Sequence, residues 1–92
     1  MNEKTNLTIE ANFALALKSH KSNNLQAAKN FYKETLKINP NHIDAHNNLG
    51  ILLHQLGEYE KVIGCYEKAI EIQPNYAAAY YNRGNTHKVL GE

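Results

Sequence analysis

Residues 43–76, IDAHNNLGILLHQLGEYEKVIGCYEKAIEIQPNY, decide how the whole chain is read. Ala45, Leu49, Leu52, Leu53 and Leu56 recur at three- and four-residue spacing, which lays them along one face of a helix. Gly57 closes that pattern as a left-handed C-cap, the conformation that glycine adopts without steric cost. Tyr59, Val62, Ile63, Tyr66, Ile70 and Ile72 then build a second apolar stripe. Gln73-Pro74-Asn75 stops it, because proline disfavours helical geometry in the residue before it. The segment reads as two helices, a tight turn between them and a second turn after them.

Displaced by 34 residues, the segment meets itself in both directions: Pro40 pairs with Pro74, Gly50 with Gly84, and Gly57 with Gly91. The same offset joins Ile9 to Ile43, Leu15 to Leu49, His20 to His54, Tyr32 to Tyr66 and Asn48 to Asn82. A fixed period of this length means stacked supersecondary units, so function is to be sought on a surface shared between units. Unit one runs over 9–42, unit two over 43–76, and 77–92 is the first half of a third. The pattern predicts an all-α domain covering 1–92, with helices near 7–22, 25–38, 43–56, 59–72 and 77–90. Asn23-Asn24 stands where unit two has Gly57-Glu58, and asparagine tolerates left-handed geometry nearly as glycine does. Gly50 and Gly84 sit mid-helix, where glycine costs about 1 kcal/mol against alanine. They predict close approach of a neighbouring helix, as do Ala16 at the same position and Ala28 and Ala69 on the second helices.

Composition narrows the function classes. Ten basic residues against nine acidic ones give a net charge of +1, which makes no electrostatic case for nucleic acid or a membrane surface. The lone Cys65 can form neither an internal disulfide nor a cysteine metal cluster. No apolar run approaches a signal core or a membrane span. A cytoplasmic location without cofactor is the resulting expectation.

The 34-residue pattern resembles the tetratricopeptide repeat, whose helix–turn–helix unit carries aromatic, Leu-Gly, aromatic, Ala, aromatic and Pro positions. Unit two supplies His46, Leu49-Gly50, Leu53, Val62, Tyr66, Ala69 and Pro74. Unit one supplies Leu15-Ala16, Ala28, Tyr32 and Pro40, and the half unit Tyr80 and Gly84. Asn12, His46, Val62 and Arg83 depart from the family pattern. The resemblance implies a right-handed α-α superhelix and a non-catalytic module that binds a protein or peptide segment in its concave groove. It also implies two alternatives: a substrate-recognition arm of a larger enzyme such as a glycosyltransferase, or a self-associating structural repeat. The chain is then expected to be a fragment of a longer protein.

In the family the first helices line the groove. Carried over position by position, Phe13, Leu17, Asn47, Asn48, Ile51, Tyr81, Asn82 and Asn85 are the candidate peptide-binding residues. The two-carboxylate clamp with which some family members hold chaperone C-termini needs Lys, Asn, Asn, Lys and Arg. Here those positions hold Phe13, Leu17, Asn48, Ala78 and Asn82, so that partner class is rejected. An asparagine ladder like that of O-linked N-acetylglucosamine transferases fits better, through Asn48 and Asn82 flanked by Asn47 and Asn85. A carboxamide offers both donor and acceptor, so it can pair with the backbone of an extended peptide of any sequence. The same asparagines could instead bond between neighbouring helices.

Other chemistry has less support. His42 and His46 lie four apart, but a metal needs a third ligand, and His46 occupies an aromatic packing position. Cys65 has no His or acid at motif spacing and reads as a small packing residue. The chain stops at Leu90-Gly91-Glu92, which leaves two readings of the last helix: a terminal cap over unit two, favoured by Arg83 in place of a core leucine, or an open face with Tyr80, Val89 and Leu90 through which a homodimer could form.

Overall fold

The computed structural model describes residues 3–92, with side chains from Thr8 onward, so the first two residues of the expected 1–92 domain lie outside it. Five helices follow one another: α1 (Glu3–Lys21), α2 (Leu25–Ile38), α3 (Ile43–Gln55), α4 (Tyr59–Ile72) and α5 (Ala77–Val89). There is no strand among the described residues. Each helix packs on its predecessor, and α3 also touches α5. No helix among the described residues is long and apolar enough to cross a membrane. The first helix begins at Glu3, a full turn before the predicted start.

Each first helix ends in the same way. Asn23, Gly57 and Gly91 all have positive φ, at 63°, 79° and 81°. The N–H after each turns back to a carbonyl five residues earlier: Asn24 to Ser19 at 2.8 Å, Glu58 to Leu53 at 2.9 Å, Glu92 to His87 at 2.9 Å. This is the Schellman closure, which satisfies carbonyls that the helix would otherwise leave bare. Asn24 then caps α2, its side-chain oxygen accepting from the Ala27 N–H at 3.4 Å.

The core is narrow and made of small-against-large contacts. Ala16, Ala28, Ala45, Ala69 and Ala79 are fully buried beside Tyr32, Leu52, Val62 and Tyr66. At Gly50 the tyrosine lies so close that an added Cβ would stand 2.6 Å from Tyr66 Cε1. The close approach predicted at Gly84 is absent, and a Cβ there would meet nothing within 4 Å. Tyr66 supplies the ring that meets Gly50, and among the described residues no ring meets Gly84. Position Leu15/Leu49/Arg83 shows the same gradient: Leu49 is buried, Leu15 is exposed, and Arg83 lays its guanidinium 5.4 Å from the Tyr80 ring centre.

Units are joined by polar links as well as by packing. His46 Nε2–H donates to the Pro40 carbonyl at 2.7 Å, and one period later the Tyr80 hydroxyl donates to the Pro74 carbonyl at 2.8 Å. Residues of different chemistry thus close the same turn, which explains why histidine is tolerated at a family aromatic position. Lys29 and Lys61 converge on Glu58, at 3.2 and 3.0 Å, and hold its carboxyl below the usual carboxylate range. Through that residue α2 is tied to the turn before α4.

Two outcomes follow for stability. Gly50→Ala forces a Cβ into the Tyr66 ring, a clash of about 1–3 kcal/mol, against about 1 kcal/mol of helix propensity. Gly84→Ala has only the propensity gain of about 1 kcal/mol, so denaturant melts should show the two variants shifting in opposite directions. His46 gives a pH test. Burial, the largest influence, holds its pKa below the ordinary 6.5. The folded chain therefore binds fewer protons there than the unfolded one. Its contribution is full above the unfolded value and is lost as pH falls through the lowered one. His46→Tyr, which keeps the donor to Pro40, should flatten the decline in melting temperature between about pH 7.5 and about pH 5; equal slopes in both proteins count against this account.

Candidate functional site

The first helices α1, α3 and α5 present the candidate residues, and the structure divides these into three groups. Asn47 is largely withdrawn from solvent, and Phe13 is half-buried with its ring turned to the core. Phe13 packs on the core, its ring centre 4.5 Å from that of His42 and 6.2 Å from that of Tyr32. Asn47 is only 8% exposed, and its Oδ1 accepts from Asn82 Nδ2 at a long 3.5 Å. Leu17 and Tyr81 are open to solvent at 42% and 72%. Asn48, Ile51, Asn82 and Asn85 are half-buried, the state in which a side chain is positioned by the fold and still reachable.

Three of these eight come together. Ile51, Asn82 and Asn85 line a cleft of about 190 Å³ with His54, Gln55 and Tyr66. Its walls are two first helices, α3 and α5, and Tyr66 reaches it from the second helix α4. No carboxylate or ammonium lines it, so its character is that of amides, an imidazole and a phenol around one aliphatic side chain. Burial pushes the Tyr66 hydroxyl up to about 12, which keeps it a donor at any physiological pH. The sequence reading assigned Tyr66 to the core alone. The residue is buried, at 1% exposure, but it also lines this cleft. The aromatic–glycine position pair pointed to packing, and nothing in the period showed that the hydroxyl has a second environment.

Polar contacts between first helices hold the face together. Tyr32 O–H donates to His20 Nδ1 at 2.9 Å, and His20 Nε2–H donates to Gln55 Oε1 at 2.5 Å, joining α2, α1 and α3. Between α3 and α5, His54 Nδ1 lies 3.1 Å from Thr86 Oγ1. The single Thr86 hydroxyl proton goes to the Asn82 carbonyl at 3.0 Å, so His54 Nδ1 must carry the proton in its own contact. His54 also sits edge-on to Tyr59, ring centres 5.0 Å apart.

His42, His46 and Cys65 have structural work. His42 caps α3, its Nδ1 accepting from the Ala45 N–H at 3.1 Å, while His46 is committed to Pro40. Among the described residues no three His, Cys, Asp or Glu side chains are placed to share a metal ion. Cys65 is half-buried against the core, and burial pushes its thiol up to about 11, which leaves little of the nucleophilic thiolate.

Similarity to known proteins agrees with this architecture. Tetratricopeptide-repeat family models match residues 43–76 and 65–92, and a TPR-repeat model matches 18–57. Among curated protein sequences none matches the chain. Among solved structures, the crystal structure of MamA protein superposes with a TM-score of 0.88 at 30% identity, over 90% of this chain and 45% of that one. A mutant of Thermobaculum terrenum O-GlcNAc transferase gives 0.85 at 27% identity, over 94% of this chain and 16% of that one. The TPR2B domain of yeast Sti1, in a complex with pHsp70, gives 0.86 at 21% identity, over 91% and 67%, a likeness of fold alone. The chain spans less than half the length of the MamA structures, 45% and 48% of the two. Paired helices repeating every 34 residues, with matches running from residue 18 to residue 92, place the chain in the tetratricopeptide repeat family.

Proposed function

We propose that this module recognises another protein by holding an extended segment of it across the face made by α1, α3 and α5. The observation that carries the reading is the uncharged, amide-lined cleft at Ile51, Asn82 and Asn85. Asn48 extends that amide surface along α3, and Leu17 and Tyr81 offer exposed apolar area at its two ends. Amides select for backbone rather than for charge, so the segment taken here is neutral and extended. Phe13 contributes by bracing α1 against His42, and Asn47 by bridging to Asn82. An acidic chaperone tail is a poor fit, because Phe13, Leu17, Ala78 and Asn82 stand where a carboxylate clamp has its other side chains.

A second reading makes the module the substrate-recognition arm of a glycosyltransferase. Its support is the likeness to the O-GlcNAc transferase at 27% identity, together with Asn48 and Asn82 on the ladder position. Self-association is a third, supported by Tyr80 and Val89 on α5, 43% and 52% exposed.

Peptides selected from a display library on the native domain provide the test. Asn48→Ala with Asn82→Ala should weaken the selected peptide by about tenfold, the loss of one or two neutral hydrogen bonds, with the melting temperature little changed. Unchanged affinity sinks the amide reading. Sedimentation across micromolar to sub-millimolar concentration addresses the third reading, since a monomer throughout that range excludes pairing through α5.

A further inference from the structure

The two full units are built alike, yet their buried tyrosines end differently. In unit one the Tyr32 proton goes to His20, and the His20 proton goes on to Gln55 of the next unit. One period later the corresponding residues are Tyr66, His54 and Val89. Valine has no acceptor, so the far end of the relay is missing. His54 turns instead to Thr86, with Nδ1 as the donor. Among the described residues nothing then accepts the Tyr66 hydroxyl, and since no buried side-chain polar atom there lacks a partner, this hydroxyl keeps contact with solvent although the residue as a whole is 1% exposed. Gly50 contributes to the difference. Where Ala16 carries a methyl in unit one, Gly50 has none, and the Tyr66 ring occupies that space.

Tyr66 lines the α3–α5 cleft beside Gln55, Asn82 and Asn85, so the cleft is where that hydroxyl meets solvent. Gln55 uses its oxygen on His20 and keeps its N–H donors, while among the described residues the Asn82 and Asn85 side-chain oxygens take part in no hydrogen bond. The cleft thus offers donors and acceptors in balance and no charge. At about 190 Å³ it is smaller than a typical small-molecule site of roughly 300–1,000 Å³ and suits a single amide group. We propose that the cleft is a subsite for one neutral amide of a bound chain, its carbonyl accepting the Tyr66 proton and its N–H donating to an asparagine oxygen. The proposal rests on the groove reading only for the origin of that amide, which is either a backbone peptide group or an Asn or Gln side chain.

Two small amides separate those sources: N-methylacetamide stands for the backbone and propionamide for the side chain, with acetate as the charged comparison. Titrated into the isotope-labelled domain, the fitting amide should move the Gln55, Asn82 and Asn85 side-chain resonances, and acetate should not. Tyr66→Phe keeps the ring against Gly50 and should weaken that amide about three- to tenfold, the loss of one neutral hydrogen bond. Its melting temperature should stay near that of the native chain, whereas Tyr32→Phe, which breaks the His20 relay, should lower it. Movement of those resonances by neither amide, equal binding by Tyr66→Phe, or a melting loss in Tyr66→Phe as large as in Tyr32→Phe each overturns the subsite. Amide binding that depends on Tyr66 stands even if no peptide is captured, an outcome that fails the groove reading alone. Peptide affinity lost with Asn48 and Asn82 but indifferent to Tyr66, with amides unbound, fails the subsite alone.

Discussion

A tyrosine ring lying on a helix that has no room for a larger side chain is the contact on which the stack depends. Tyr32 and Tyr66 come from second helices and are buried among first-helix positions kept small at Ala16 and Gly50. Burying a residue of this size supplies the apolar area that a small domain otherwise lacks. It also fixes the distance between the paired helices, since a ring in contact with backbone cannot be compressed. Where the ring has no successor, at Gly84, the close approach disappears as well. The small residue is therefore one half of a contact, with meaning only when the other half is present.

Polar contacts perform a different task. Several run between units and are assembled from residues about one period apart: His20 with Gln55, Asn47 with Asn82, His54 with Thr86. Individually such bonds contribute on the order of 1 kcal/mol. Their larger effect is orientational, because apolar surfaces slide and directional bonds do not. The face made by the first helices is consequently amide-rich for structural reasons, and the same amides are available to a ligand wherever the internal pairing is incomplete. A binding surface of this kind arises from departures from the repeat, while the repeat itself supplies the frame.

The fold was legible in the sequence because its determinants are backbone events at fixed spacing. Asn23, Gly57 and Gly91 announce left-handed turns, Pro40 and Pro74 announce helix ends, and each does so without knowledge of its neighbours. Gly84 was misread because its role depends on a partner that the 92 residues do not supply. The candidate site was legible only in part. The family resemblance puts Ile51, Asn82 and Asn85 on one face, and they do line one cleft. The resemblance puts Phe13 and Asn47 on the same face, but Phe13 packs on His42 within its own unit and Asn47 bonds to Asn82 in the next, contacts that spacing along one helix does not encode. Tyr66 escaped notice because one residue serves two environments, ring in the core and hydroxyl at the cleft, and spacing reports only the first.

The bonds from His46 to Pro40 and from Tyr80 to Pro74 bear on how the array behaves as a whole. In each, a carbonyl in the closing turn of one unit is satisfied by the first helix of the next. A unit of this chain is thus incomplete at its own end, and its last turn is finished by its successor. Stability in such a system is a property of neighbouring pairs rather than of single repeats. The 34-residue period marks where the sequence starts again, and the cooperative element straddles that mark.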